Sequence, residues 1–378
     1  MSAVLQIRSW TSDEFANSRE LWQRVLATSD ADPLFMSWDW QWRWWTHHAE
    51  YLGATLRLLG LYDGAGELVG IAPFYSRRVR RRGWPALRRL ELIGLAWRDG
   101  DAVFSEYLDL IVARGHDEAV MARVARWLEK ESHWDDLALP CLKAGSLARR
   151  LANERLRGFA RVREVEPMTA YAAALPRTFE EYAQGLTSNA RRKLLNQRRK
   201  LRGPVLLAAA GPEVDGAMEA LRAFEAQRWG AKSDRLYAFN CDLATFLAAA
   251  GELRLTRLVA DGRTISVMYS VRRGSTEYYL QSAFDPQASQ GLSLGYLHFG
   301  YAIEEACRAG VTRFDFLAGE GRHRDYKQDL LTERSPLICC HVIRVGWLRA
   351  LHRLREIAHS WRPARVPTAA GQRAARVA

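Results

Sequence analysis

The sequence predicts an α+β protein made of two halves with the same order of elements. Three observations lead there. At 378 residues the chain is too long for one typical core and long enough for two. Each half reads as helices, an antiparallel hairpin or meander, a helix and then a strand. The second half also contains a strand–helix–strand unit over 277–283, 294–309 and 313–317, the crossover that parallel strands need.

In the first half, residues 4–7 form a short strand, and Thr11 or Ser12 caps the following helix. Ser37 caps a helix that carries Trp38, Trp40, Trp42, Trp44 and Trp45. "ATLRLLGLYDGAGELVGIAPFYSRR" is a hairpin, two apolar runs joined by Asp63-Gly64-Ala65-Gly66. Strands follow at 88–95 and 106–112. Val120, Val124, Trp127 and Leu128 mark one helix face at i, i+4, i+7 and i+8, and "DDLALPCL" is the next strand.

In the second half, helices fit 178–186, 188–201 and 213–229. Strands 253–260 and 264–271 meet at Asp261-Gly262, and Arg273-Gly274 turns into 277–283. The loop "DPQASQGLS" leads into the helix 294–309, which ends at Gly310. The strand 313–317 runs into a crowd of titratable groups, and a last strand fits 337–345. The expected boundaries are a first domain at 1–175, a second at 176–346 and a basic tail at 347–378.

The composition narrows the class. Hydrophobic residues at 48% and charged residues at 26% fit an ordinary globular protein. No apolar run reaches the roughly 20 residues that span a bilayer, and the first residues lack the basic-then-apolar pattern of a secretory signal. Five cysteines without a CxxC pair argue against a disulfide framework or zinc site and for a reducing cytoplasm. His47-His48, His298 and His323 have no partners at metal-ligand spacing, so no metal is expected. The net charge of +12 favours anionic partners. Basic blocks lie at Arg77–Arg82, at 191–202 and in the tail, each of which also reads as a solvated face. Trp347, Leu348, Leu351, Leu354 and Trp361 line one side of a basic tail helix, which predicts peripheral contact with an acidic membrane at its inner face.

Four stretches resemble the GNAT acyltransferase superfamily, and within it the CelD-like group of cellulose and exopolysaccharide biosynthesis and the FemAB-like transferases. "FMSWDWQWRWW" is similar to the group's N-terminal aromatic segment and "LTSNARRKLLNQRRKL" to its basic helix. "DPQASQGLSLGYLHFGYAIEEACRAG" resembles its acyl-carrier loop and helix, and "RFDFLAGEGRHRDYKQDL" its closing strand, acidic residue and Tyr-Lys pair. The resemblance implies two GNAT-like domains, each a mixed, mainly antiparallel sheet flanked by helices. It implies transfer of an acyl group, acetyl above all, from acyl-coenzyme A to an amine or hydroxyl. The expected acceptor is a sugar or envelope-polymer precursor, with the first domain shaping its cleft.

The resemblance also assigns roles. Gln287, Ser289, Gln290, Gly291, Leu292 and Ser293 form the loop whose backbone N–H groups hold the carrier's pyrophosphate. The superfamily's form is Gln/Arg-x-x-Gly-x-Gly/Ala, from which Gln287-Ala288-Ser289-Gln290-Gly291 departs. Tyr326 is placed to protonate the departing thiolate, and Glu320 or Asp315 to take the acceptor's proton. Lys327 holds an anionic substrate or the tetrahedral oxyanion, a role shared with N–H groups of 277–283. Arg191, Arg192 and Arg198 are expected to face outward near the cleft, with Ala190, Leu194 and Leu201 inward. Arg228 and Trp229 complete the substrate-binding set, although Glu225 and Arg228 also read as the edge of the helix's core. Two plainer readings stand beside these. Asp315 and Arg324 form a structural ion pair while Tyr326-Lys327 starts a helix, and the tryptophan-rich helix packs between the domains instead of stacking on sugars. The rival functions are FemAB-like aminoacyl transfer from tRNA, the only nucleic acid expected, and non-catalytic binding of nucleic acid or acidic membrane.

Overall fold

The computed structural model describes residues 5–80, 85–99, 103–131, 133–230, 232–318, 324–330 and 333–350, and for 166–167 and 324–326 the backbone alone. In chain order the first half holds β1 (Gln6–Ser9), α1 (Ser12–Ala16), α2 (Arg19–Ala27), α3 (Trp38–Leu52), β2 (Thr55–Tyr62), β3 (Leu68–Val79), β4 (Leu87–Leu92), β5 (Ile111–Val112), α4 (Asp117–Lys130), β6 (Asp136–Lys143), α5 (Leu147–Arg150) and β7 (Arg161–Ala174). The second holds α6 (Phe179–Gln184), α7 (Ser188–Leu194), β8 (Val205–Ala208), α8 (Glu213–Trp229), α9 (Asp234–Ala249), β9 (Leu253–Ala260), β10 (Arg263–Arg273), β11 (Thr276–Phe284), α10 (Leu294–Arg308), β12 (Arg313–Ala318), α11 (Arg324–Leu330) and β13 (Glu333–Ile343).

Local chemistry sets most of these bounds. Thr11 and Glu14 form a reciprocal capping box on α1. Ser37 accepts from the Trp40 N–H at the start of α3, and Gly53, with φ 57°, ends it. Thr178, Thr187 and Ser233 cap α6, α7 and α9 in the same way.

One mixed, mainly antiparallel sheet runs β1-β2-β3-β4-β6-β13-β7-β12-β11-β10-β9-β8, with β5 on β3. The halves exchange strands at its middle. β13, the last strand, pairs with β6 and β7, so Leu337 lies between Lys143 and Met168. β7 in turn pairs with β12 of the second half. The sequence reading has no strand at 161–174, where Pro167 interrupts the pattern, and it places the last strand at 337–345 rather than Glu333–Ile343.

Other expectations also shift. Only Ile111–Val112 of the expected strand 106–112 pairs, with β3, and β8 and α9 are unanticipated. The expected helix 188–201 breaks after Leu194 and resumes as a 3₁₀ turn, Asn196–Lys200. There α10 crosses so closely that a Cβ on Gly300 would lie 2.6 Å from the Leu194 carbonyl oxygen. Gln197 turns inward at the break and accepts the Ser293 N–H at 2.8 Å. Arg198 is therefore half-buried, ion-paired to Glu304 at 2.7 Å and stacked on Tyr301, not presented outward.

The tryptophan-rich α3 packs between the halves. Trp38, Trp40, Trp44 and Trp45 are buried, and Arg43 and His47 bond Asp242 of α9. A helix covered on more than one side buries tryptophans that cannot share one face.

Candidate active site

Strands β11 and β12 pair in parallel only at Thr276↔Arg313, Glu277↔Phe314 and Tyr278↔Asp315, then part. Strand β11 is also bulged at Leu280, where its register with β10 shifts. A cavity of about 730 Å³ opens where the strands diverge. Its floor is Tyr279–Ser282 of β11 and Phe316–Ala318 of β12, and the first turn of α10 forms one side. Across it stand Phe35, Trp40, Val103, Phe104 and Glu106 of the first half, and Glu225, Arg228, Trp229 and Lys232 from the end of α8.

A buried polar network shapes the closed end. Lys327 Nζ donates to the carbonyls of Phe316, Leu317 (3.1 Å) and Ala318 (2.7 Å), capping the parted end of β12. Leu317 has φ 57°, the left-handed region a branched residue avoids. Its N–H donates to Asp315 Oδ1 at 2.9 Å, and the Tyr107 hydroxyl donates to the same carboxylate at 3.0 and 3.1 Å. The Ala318 N–H donates to both oxygens of Glu106, at 2.9 and 2.8 Å. Two first-half residues thus hold a second-half strand end in a strained shape.

Burial dominates the electrostatics here. It pushes the Glu106 carboxyl up to about 8, against the pull of the Ala318 N–H and the Lys327 charge. It pulls the Lys327 ammonium down to about 8, against the attraction of Glu106 and Asp315. Burial likewise raises Asp315 above the usual carboxylate range, opposed by the Leu317 N–H, Arg313 and the Tyr107 hydroxyl.

The other end of the cavity meets the loop before α10. The first N–H groups of a helix have no partner inside it, and Ser293, Leu294, Gly295 and Tyr296 line the cavity at this point. Gly291, with φ 70°, leaves open space where a side chain would stand. Arg228 lies 3.8 Å over the Phe284 ring and 4.3 Å over Trp229, which is 49% exposed.

The expected residues divide accordingly. Lys327, Arg228, Trp229, Leu292 and Ser293 line the cavity. Gln287 donates its N–H to Asp285 and Ser289 its hydroxyl to the Pro286 carbonyl, which shapes the loop, while Gln290 is exposed. Asp315 is 3% exposed and lies behind the cavity wall, bracing it. Among the described residues its cation is Arg313, at 3.8 Å, while the side chain of Arg324, the expected partner, lies outside the described residues. Arg191 donates to the carbonyls of Ala183, Gln184 and Leu186, and Arg192 to Asn189; with Arg198 they lie away from the cavity wall. Glu320 lies outside the described residues. Tyr326 falls in α11, where the plainer reading put a helix, and its side chain lies outside the description. Among the described residues no cluster suits a metal ion.

The sequence reading missed Glu106, Asn240 and Gln281 on the cavity wall. Only Glu106 leaves a signal, a carboxylate inside the apolar run "VFSEYLDLIV".

The first half has the same parted strands and closes them. Strands β4 and β6 pair at Arg89↔Asp136, Leu90↔Leu137 and Glu91↔Ala138 only. The chain after β4 folds back, its Trp97 N–H donating to Glu91 at 2.7 Å. The Trp97 ring lies 4.8 Å from the Arg89 guanidinium and 5.0 Å from His341 on β13. Tyr75 and Arg77 hold the other oxygen of Glu91.

Comparison with known proteins agrees with this architecture. Residues 188–328 match the acetyltransferase (GNAT) domain family. The structure of FemX superposes with a TM-score of 0.60 at 13% identity, over 93% of this chain and 100% of that one. A conserved protein of unknown function from Bacteroides thetaiotaomicron VPI-5482 gives 0.53 at 12% identity, over 90% of this chain and 100% of that one. A tandem GNAT protein from the clavulanic acid biosynthesis pathway gives 0.47 at 13% identity, over 90% and 99%. No curated protein sequence matches the chain. Residues 188–328 thus carry an acetyltransferase (GNAT) domain match, and the fold of nearly the whole chain is similar to that of FemX.

Proposed function

We propose that this protein transfers an acyl group, acetyl above all, from acyl-coenzyme A to an amine or hydroxyl of a sugar or envelope-polymer precursor. The observation that carries the reading is the cavity between β11 and β12, which joins the first turn of α10 to Lys327. A pantetheine arm is long, narrow and mainly uncharged, and it suits a slot between parted strands. The pyrophosphate at its end suits a helix start, whose first N–H groups are not used within the helix itself. The open space at Gly291 fits that group, as it lets backbone approach phosphate closely.

In this reading the thioester lies towards the Lys327 end. Attack on its carbonyl carbon builds charge on oxygen, which the Lys327 charge and backbone N–H groups of β11, where it parts from β12, stabilise. Tyr326 protonates the departing thiolate. Arg228 and Trp229 border the acceptor side.

The test is a thermal-shift titration with acetyl-coenzyme A, followed by thiol release with amino and neutral sugars as acceptors. A donor at a hundred times its dissociation constant stabilises by about 2.7 kcal/mol. No shift and no thiol release would overturn the reading.

One observation favours the second reading, aminoacyl transfer from tRNA. Arg191, Arg192, Arg199, Lys200 and Arg202 are exposed on one stretch, and Gln197 ties that stretch to the loop before α10. Activity that falls steeply between 50 and 200 mM salt would favour tRNA; a shallow dependence favours coenzyme A.

A further inference from the structure

We infer that Glu106, carried across from the first half, accepts the proton of the attacking amine or hydroxyl. The inference rests on the acyl-transfer reading above.

Two carboxylates line the cavity among the described residues, Glu106 and Glu225. Glu225 is bonded at 2.7 Å to Lys232, whose side chain is half exposed. Glu106 stands instead at the closed end, against the parted tip of β12. Its residue is 5% exposed. Both of its oxygens take the single Ala318 N–H, and each carboxylate oxygen retains a further lone pair for another donor. Lys327 beside it directs its three donors to backbone carbonyls. Among the described residues Glu106 thus has a cation nearby and none bonded to its oxygens. Asp315, the other carboxylate at this end, is held by the Tyr107 hydroxyl and the Leu317 N–H behind the wall.

The segment that delivers Glu106 follows β4, as the 285–293 loop follows β11. In the second half that connection opens onto the cavity. In the first half it folds back at Trp97, closes its own opening and extends Glu106 and Tyr107 to β12. The first half has exchanged a slot of its own for a wall and a carboxylate in the other slot.

The acceptor's lone pair forms a bond to the thioester carbonyl carbon, whose π electrons move to oxygen, while its proton passes to a Glu106 oxygen. Collapse of the adduct restores the carbonyl and breaks the C–S bond. The thiolate takes a proton from solvent, and Glu106 returns its own proton to solvent. The sum is one thiol and one acylated acceptor, with no oxidant or reductant. Groups acting on Glu106 are Lys327 of α11, Asp315 of β12 and Asp32 ahead of α3. A carboxyl held at about 8 by burial is a strong base when ionised, poised near neutral pH.

The test is Glu106→Gln, which keeps the shape and one acceptor for the Ala318 N–H. Thiol release should fall about 100- to 10,000-fold, with acetyl-coenzyme A affinity within about twofold of the parent. The parent's kcat/KM should rise with pH through an apparent pKa near 8, and that limb should vanish in the variant. Turnover and limb both unchanged would overturn the inference while leaving the acyl-transfer reading intact. A parent that releases no thiol removes both. Should Glu106→Gln fail to melt cooperatively, Glu106→Asp keeps the carboxylate one methylene shorter. It should retain the limb at a reduced rate, and an unchanged rate or a missing limb would overturn the assignment.

Discussion

Tyr107→Phe tests whether the first half holds the strained end of β12. The change removes one hydroxyl and creates no cavity, because the ring stays. That hydroxyl donates at 3.0 and 3.1 Å to Asp315, whose only other bonded donor among those described is the Leu317 N–H. A hydrogen bond to a charged, buried group contributes about 1.5–3 kcal/mol, so the variant should lose about 2 kcal/mol. With a urea slope of about 3 kcal/mol/M or more for a chain of this size, the midpoint falls by roughly 0.5 M. The loss depends on pH, and its sign is fixed. Burial already raises Asp315, and the phenol opposes that rise. Without it the folded carboxyl binds its proton more tightly, so stability falls further as pH climbs through the raised pKa. The deficit should be small in acid and grow as pH rises through the raised pKa. A double-mutant cycle with Asp315→Asn isolates the pair. A deficit that persists unchanged in the Asp315→Asn background, or one that grows in acid, would refute the reasoning.

Three further outcomes follow. Gly291→Asp should weaken acetyl-coenzyme A binding in calorimetry at least tenfold, because a carboxylate in the open space beside the loop blocks and repels phosphate, with a fall in melting no larger than one residue's strain at φ 70°; unchanged affinity would move the donor away from this loop. His298 bridges Ser266 and Thr256, and burial holds it down to about 3. The unfolded chain takes that proton below about 6.5 and the folded chain does not, so stability should fall by about 3 kcal/mol from pH 7 to pH 4 through this group. His298→Gln should show a shallower decline across that range in urea titrations, and an equal decline would exclude His298 as its source. Calorimetry should also count one donor per chain, since Trp97 closes the first half's opening; two would mean that this segment opens.

Much of the framework was written in local chemistry. The crossover of β11, α10 and β12 needed only periodicity, Asp261-Gly262, Arg273-Gly274 and Gly310 to be placed within a few residues. Helix α8 matched its expected bounds, and Ser37 and Thr11 capped as their residue types require. Lys327, Arg228, Trp229, Leu292 and Ser293 were named from the sequence and line the cavity, and all but Lys327 stand at the end of α8 or the start of α10, elements that the pattern itself defines. The basic stretch misled for a related reason. Its arginines announce charge, but whether a guanidinium meets solvent, a carbonyl or Glu304 depends on what packs against it.

The sequence by itself determined the α+β class and the order of most elements, though not β7, β8 or α9, since caps, turns and hydrophobic periods act between near neighbours. Tertiary structure decided which strands pair and which side chains converge. β13 enters between β6 and β7, far from both in sequence, and no local signal encodes that partner choice. Glu106 reaches Ala318 across 212 residues, and Tyr107 reaches Asp315 across 208. A carboxylate's burial, its hydrogen-bond partner and its affinity for a proton belong to the space around it, which exists only once the halves have packed.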